Sequence, residues 1–528
     1  MFKRYLDVWV SRCCLCCPCL GHNTFKFLFT VSPMRPLRRS ADPFHFSLAQ
    51  LILACFLVVL PSALFAEENA GVPNILIVMT DDQGKWSLGQ YDERIETPNI
   101  RFLAEQGVRF DQAISPTPVC SAARVSFYTG RTASQHGVHD FLSDKDSEQK
   151  SWLEDERLIS EVLSDSGYRV GLFGKWHADT HGWVPAKGFD RWLTYDERGG
   201  VPWFNQYLHA GTVHFSKDGE PTTHTGVQAR FLAESAVAFI DEPSDKPFAA
   251  IVNFVEPHFP FDGLPERLVE RYRPIARDIV APGDSSSLKA GGAPVMPFDH
   301  VAAHTEKLAQ YLAAVTLVDE QVGRLMDALE GRKLLDNTLI VFTSDHGHQT
   351  GQYGLYGKGN SSVPQNLYED SINIPLVIYG PKRLVARGQV RNEFVNLYDI
   401  FPTLSEIAGA DLSAYNGPGK SLLPLLRGER LTSFRDFQFA EYGNARMTHN
   451  GRWKLIRRYQ PDGSSEEQWF DLTHPLGERF PVPPPSEAQQ EQLQEALSAF
   501  FEVYETANHS GRRIWELPQQ NAMEAWRH

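Results

Sequence analysis

The sequence predicts an α/β fold: a mixed, mostly parallel central sheet flanked by helices, followed by a small C-terminal α+β subdomain with an antiparallel sheet. Three observations predict it. Continuous apolar runs recur up to about residue 430, as expected of strands covered on both faces. Amphipathic helical periodicity fills the intervals between them. After about residue 430 the texture changes to short strand-like segments and a proline-rich connection.

The first element is Asn74–Thr80, an apolar run that reads as a central strand. Further strands fit Arg169–Phe173, Phe248–Phe254, Thr338–Thr343 and Pro375–Tyr379. Between the third and fourth of these five, Leu308, Leu312, Val315, Val318, Val322, Leu325 and Leu329 recur at spacings of three and four, the apolar face of a long helix. The Gly/Pro/Ser-rich stretch 282–297 reads as a surface insertion. Near the C-terminus, Phe437–Tyr442 and Arg452–Arg458 read as antiparallel strands. Pro481–Pro485 is the connection, and Ser486–Glu505 is a helix packed back on the sheet.

The N-terminal segment has a different character. Residues 47–66 follow basic Arg35, Arg38 and Arg39, are strongly apolar, and end in small residues. That is the layout of a secretory signal peptide, with cleavage expected after Ala66. Its apolar core of about 16 residues is short for a spanning helix, which needs ~20, so an uncleaved anchor is the weaker reading. Cys13, Cys14, Cys16, Cys17 and Cys19 are spaced too tightly for a standard zinc module, and Met34 would open a conventional signal peptide. The expected division is therefore a leader over 1–66, a main domain over 67–430 and a subdomain over 431–528. The leader holds seven of the 51 basic and two of the 65 acidic residues, leaving 44 against 63, a net charge of −19. Such a surface disfavours nonspecific nucleic-acid binding, and any anionic ligand must be caught by a local cationic cluster. Six of the seven cysteines lie at or before Cys55, so Cys120 is the one thiol of the mature chain. An exported chain without disulfides fits a bacterial envelope, periplasmic or secreted.

In open α/β sheets, ligands bind beyond the carboxyl ends of strands. Polar residues gather at those ends here: Asp81-Asp82 after the first strand, Lys175-Trp176-His177 after the second, Glu256-Pro257-His258 after the third, and Asp345-His346-Gly347 after the fourth. Adjacent aspartates alone are often a turn. Joined by Asp345 and His346, they offer three hard oxygen ligands and an imidazole, a set that suits a divalent ion such as Ca²⁺ and leaves Mg²⁺, Mn²⁺ or Zn²⁺ open.

The segment around Cys120 points further. Cys120-Ser121-Ala122-Ala123-Arg124, followed by Thr129-Gly130-Arg131, resembles the signature of the formylglycine-dependent sulfatases. The accompanying motifs occur in order: Asp81-Asp82, Pro98-Asn99-Ile100, Gly174-Lys175-Trp176-His177, Pro257-His258, Asp345-His346-Gly347, Lys358 between Gly357 and Gly359, and Glu369–Pro375. The resemblance runs from about 73 to 475. It implies the alkaline-phosphatase-like fold and a sulfuric-ester hydrolase whose motif cysteine is oxidised to formylglycine (3-oxoalanine) by a maturation enzyme.

By the same resemblance, Asp81, Asp82, Asp345, His346 and modified residue 120 bind the divalent metal. Arg124 steadies the hydrated aldehyde, while Lys175 and Lys358 grip the sulfate. His177 is the base that breaks down the intermediate, and His258 is the acid for the leaving alcohol. His346 departs from the commoner asparagine. His136 is a substrate-binding or second-layer candidate, with a structural role equally open, and Asp319 reads as solvated or packing. Trp203, Phe204, His214 and His224 fall where a substrate pocket would be shaped, with packing as the alternative. The expected substrate is a sulfated saccharide, by analogy with exported bacterial members. The alternatives are a phosphonate or phosphate-ester hydrolase on the same fold, or a noncatalytic sulfoglycan-binding protein.

Overall fold

Asn74–Thr80 (β1) forms as expected and is buried along its whole length. The computed structural model describes residues 71–143, 151–280, 289–290 and 301–526, less 181, 197, 199, 200, 202, 262, 475, 476, 522, 523 and 525. The expected leader and all but two residues of the 282–297 insertion lie outside the described residues.

Nine more strands join β1 in one sheet. They are Val108–Phe110 (β2), Arg169–Gly174 (β3), Arg191–Tyr195 (β4), Ala210–Lys217 (β5), Glu220–Val227 (β6), Phe248–Asn253 (β7), Thr338–Ser344 (β8), Leu376–Tyr379 (β9) and Gln389–Arg391 (β10). Their spatial order is β10-β2-β9-β8-β1-β7-β3-β4-β5-β6. The central five, β8-β1-β7-β3-β4, run parallel. Antiparallel pairs β8–β9 and β9–β2 extend one side, and β4–β5 and β5–β6 extend the other. The sheet is thus mixed and mostly parallel at its centre. The strands that the periodicity did not reveal, β2, β4, β5, β6 and β10, lie toward the two ends of the strand order, with β10 and β6 at the edges. β2 and β10 have three residues each, and β6 is Thr-rich with one exposed face, so none has an apolar run to read.

Each face of the sheet has its own core. Ile75, Ile77 and Met79 pack on one side with the helix Cys120–Thr129, while Leu76 and Val78 pack on the other with the helix Val301–Gly331. All seven periodic residues from Leu308 to Leu329 are buried in that second core, as the spacing predicted. Asp319 takes the packing alternative of the two expected for it. It is buried, and its carboxylate accepts from the backbone N–H groups of Asn99 and Ile100 (3.2 and 2.8 Å), satisfying free donors in the first turn of the helix Pro98–Gln106.

A second sheet carries four antiparallel strands: Gln438–Tyr442 (β11), Ala445–His449 (β12), Trp453–Tyr459 (β13) and Ser465–Asp471 (β14). The helix Glu487–Val503 covers it through Leu493, Leu497 and Phe501, against Phe439, Leu455 and Trp469. Among the described residues no helix is long and apolar enough to cross a membrane.

Candidate active site

Strand register brings the candidate residues together. β1 and β8 pair from Asn74↔Thr338 to Thr80↔Ser344, so Asp81 and Asp345 leave the sheet side by side. Gly174 of β3 pairs with Asn253 of β7, which sets Lys175 and the Glu256–His258 turn beside them. The backbone N–H of Asp81 donates to the carbonyl of Glu256 (3.3 Å), and that of Asp345 donates to Thr80 (3.1 Å).

Cys120 opens a helix whose ten residues are all buried. The helix stops at Gly130, which takes a left-handed φ of 70° and donates its N–H to Ser126. Residue 120 therefore stands at a helix N-terminus, where free N–H groups favour negative charge. Its sulfur lies 3.3 Å from Asp81 Oδ1, 3.3 Å from His346 Nε2 and 2.8 Å from Lys358 Nζ. Burial works to raise the thiol, but the Lys175 and Lys358 ammoniums overcome it and hold the group well below the usual thiol value.

Cations and acids alternate around that atom. Arg124 is fully buried. Its Nε donates to Asp345 Oδ2 at 3.0 Å, its Nη2 is ion-paired with the same oxygen at 2.9 Å, and its Nη1 donates to the Lys175 carbonyl at 3.0 Å. Lys175 Nζ donates to Asp81 Oδ2 and to the Tyr207 hydroxyl (3.3 Å). Lys358 Nζ donates to Asp82 Oδ1 at 2.7 Å and lies 3.5 Å from His258 Nε2. Burial opposes charge on both lysines, yet Asp81 and Asp82 respectively hold them above the ordinary amine value. Burial likewise opposes charge on His346, and the Asp345 carboxylate still lifts it to about 9. Asp82 (φ 64°) and His177 (φ 47°) both adopt the left-handed region that side chains avoid, a strain held by the surrounding contacts.

Ligand atoms of Asp81, Asp82, Cys120 and His346 all lie within 4.8 Å of one another. Asp345 Oδ1 adjoins them, 3.6 Å from His346 Nε2. Three carboxylates beside one imidazole fit a hard divalent cation.

The two further histidines differ in what they leave open. His177 Nε2 lies 3.0 Å from the Leu142 carbonyl and so carries its proton there, which leaves Nδ1 as a buried lone pair, and the ring interacts with the Cys120 side chain. Burial, and then Lys175, hold this imidazole below its ordinary value. His258 sets Nδ1 against the Phe259 carbonyl and turns Nε2 to the site, 3.5 Å from Asp82 Oδ2.

His136 is placed elsewhere. Its Nε2 meets Ser126 Oγ (3.0 Å) and its Nδ1 accepts from the Val138 N–H (3.2 Å), so both ring nitrogens are used inside the fold and neither faces a ligand. His224 stacks on Phe231 at 4.1 Å, a packing contact. The side chains of Trp203 and Phe204 lie outside the described residues. Two residues of the site carried no sequence signal that was used. His348 Nδ1 lies 3.5 Å from Asp82 Oδ2, two positions past His346, and Tyr207 touches both Lys175 and His258.

Most of the described chain resembles known proteins. Residues 73–410 match the family described as Sulfatase, and residues 351–505 match the C-terminal family of N-sulphoglucosamine sulphohydrolase. An ulvan-active sulfatase of Formosa agariphila is 29% identical over 349 residues, covering 64% of this chain and 62% of that protein. An arylsulfatase of Clostridium perfringens is 27% identical over 454 residues, covering 76% and 88%. A solved structure in complex with its substrate D-glucosamine-2-N,6-O-disulfate shares the fold at TM-score 0.69 and 21% identity, over 82% of this chain and 98% of the other. With 73–410 matched, and with the motif residues converging at the carboxyl ends of the parallel strands, the chain belongs to the sulfatase family of the alkaline-phosphatase-like superfamily.

Proposed function

We propose that this chain is an exported sulfatase that releases inorganic sulfate from a sulfated saccharide, with residue 120 converted to formylglycine by a maturation enzyme and one divalent ion, Ca²⁺, at the acidic cluster. The observation that carries the reading is the position of Cys120 Sγ, within 3.3 Å of an aspartate, a histidine and a lysine at a helix N-terminus. Asp81, Asp82, Asp345, His346 and residue 120 would hold the ion. When present, the hydrated aldehyde supplies a hydroxyl nucleophile and a second hydroxyl for release of sulfate, and the ion supplies Lewis acidity.

The chain's own side chains divide the remaining work. Lys175 and Lys358 neutralise the sulfate oxygens as negative charge grows in the transition state. Arg124, locked between Asp345 and the Lys175 carbonyl, holds the residue-120 end of the helix against the acidic cluster. His177 presents the lone pair of Nδ1 and takes the proton that must leave residue 120 before sulfate departs. His258 points Nε2 inward and delivers the proton to the leaving alcohol. The saccharide assignment leans on the structural neighbour solved with its substrate D-glucosamine-2-N,6-O-disulfate and on the relative named as an ulvan-active sulfatase.

The test is mass analysis of the peptide containing residue 120 in protein from the native host, where conversion removes about 18 Da. Cys120→Ala is expected to lower turnover by at least ~10³-fold with the fold intact. An unmodified thiol in active protein would sink the formylglycine reading. A strong preference for aryl phosphate or phosphonate esters over aryl sulfates would sink the sulfate reading.

A further inference from the structure

Tyr207 ends the short helical turn Trp203–Tyr207, which lies between β4 and β5 and outside the motifs that identify the site. The residue is buried, and its side chain meets two working groups at once. Its ring stacks on the His258 imidazole at a centroid distance of 4.2 Å and an interplanar angle of 18°. Its hydroxyl accepts from Lys175 Nζ at 3.3 Å, and the same ammonium lies 5.1 Å from the ring centroid. We infer that Tyr207 is a positioning residue of this active site, fixing the acid His258 and the sulfate-gripping Lys175 in one register.

Each contact removes a freedom that the reaction cannot tolerate. The imidazole of His258 is held at one edge by Nδ1 against the Phe259 carbonyl. An edge contact alone leaves rotation of the ring plane. The Tyr207 face stops that rotation and keeps Nε2 aimed into the site, toward Asp82 and Lys358. Lys175 carries three N–H donors. Asp81 Oδ2 accepts one and the Tyr207 hydroxyl a second, which leaves one for a sulfate oxygen. A small misplacement of either group lowers the rate out of proportion to the energy of the lost contact.

The inference rests on the acid role given to His258 and the sulfate role given to Lys175, and the experiment separates the two claims. The probes are 4-nitrophenyl sulfate, whose leaving group departs without help, and phenyl sulfate, whose leaving group needs a proton. Tyr207→Leu removes ring and hydroxyl. It is expected to cost about tenfold more in kcat/KM on phenyl sulfate than on 4-nitrophenyl sulfate, because acid catalysis is lost selectively. Tyr207→Phe keeps the ring. It is expected to lower both esters by a similar factor, about threefold or more, with the wild-type ratio between them.

A merely structural role for Tyr207 moves both esters equally in Tyr207→Leu, and that result overturns the inference. Tyr207→Phe at wild-type rates on both overturns the hydroxyl's part, and it is measurable even where Tyr207→Leu fails to fold. His258→Ala supplies the control. If it leaves the ratio between the two esters unchanged, the acid role of His258 fails first. If it shifts the ratio and Tyr207→Leu does not, the Tyr207 inference fails alone.

Discussion

At the scale of single residues, position in the fold converts ordinary side chains into specialised ones. Gly174 is one case. It sits at φ 110°, and a Cβ there would stand 2.0 Å from the Asn253 carbonyl oxygen. The next residue is Lys175, whose N–H donates to that same carbonyl at 2.9 Å. Gly174→Ala is expected to destabilise by about 3 kcal/mol or more and to displace Lys175, read as a lower Tm together with a lower kcat. Asp140 is another. Its Oδ1 accepts from the Phe141 N–H and the Tyr442 hydroxyl, both at 2.9 Å, and Asn521 also bonds the carboxyl. Burial pushes its carboxyl up to about 7. The sign follows: the protonated acid stabilises the fold below the ordinary carboxylate pKa, and that contribution is lost as pH rises through 7. Urea unfolding at pH 5 and pH 8 should show wild type losing stability over this window, on the order of a few kcal/mol, and Asp140→Asn should flatten the difference. An unchanged slope in the variant would refute the assignment.

At the scale of elements, the small sheet is joined to the main one by buried charge. Lys454 on β13 is fully buried between Glu369 Oε1 (2.9 Å) and Glu478 Oε1 (2.7 Å). Glu369 begins the turn Glu369–Ile372, and Ser371 of that turn accepts from the N–H of Gly347, the residue after His346. Lys454→Met would leave the buried Glu478 and the half-buried Glu369 beside each other without their cation. A loss of about 3–5 kcal/mol is expected, measured by denaturant unfolding, whereas a mere surface pair would move stability by less than about 1 kcal/mol. The elements themselves were legible to different degrees. β1, β3, β7 and β8 read correctly to within one residue because both of their faces are buried, so the apolar run has no interruption. The hairpin of β5 and β6 was not read, because its polar and threonine-rich face leaves a pattern shared with loops.

At the scale of the whole molecule, the full chain carries a net charge of −14, while its site gathers the buried cations Arg124, Lys175 and Lys358. Recognition of an anionic ester therefore depends on the short-range cluster, since the long-range field repels the substrate. The three carboxylates in that cluster make a further prediction. Treatment with a chelator is expected to abolish turnover and lower the Tm, and Ca²⁺ at about 100 times its Kd to restore both, a stabilisation of about 2.7 kcal/mol. A Tm and a rate indifferent to chelation would remove the metal from the reading.

The sequence by itself determined the strands with two buried faces, the order of the polar groups at their ends, and the motif around Cys120 that carries the family. Those are local properties: apolar continuity, residue type and spacing. The tertiary structure decided which of these groups meet. Asp81 and Asp345 are neighbours only because β1 and β8 pair in register across more than 250 positions of chain. His136 has both ring nitrogens consumed by Ser126 and Val138. Tyr207 and His348 joined the site without a motif to announce them, since a stacking face or a 3.5 Å approach is a property of the folded register and has no trace in spacing along the chain.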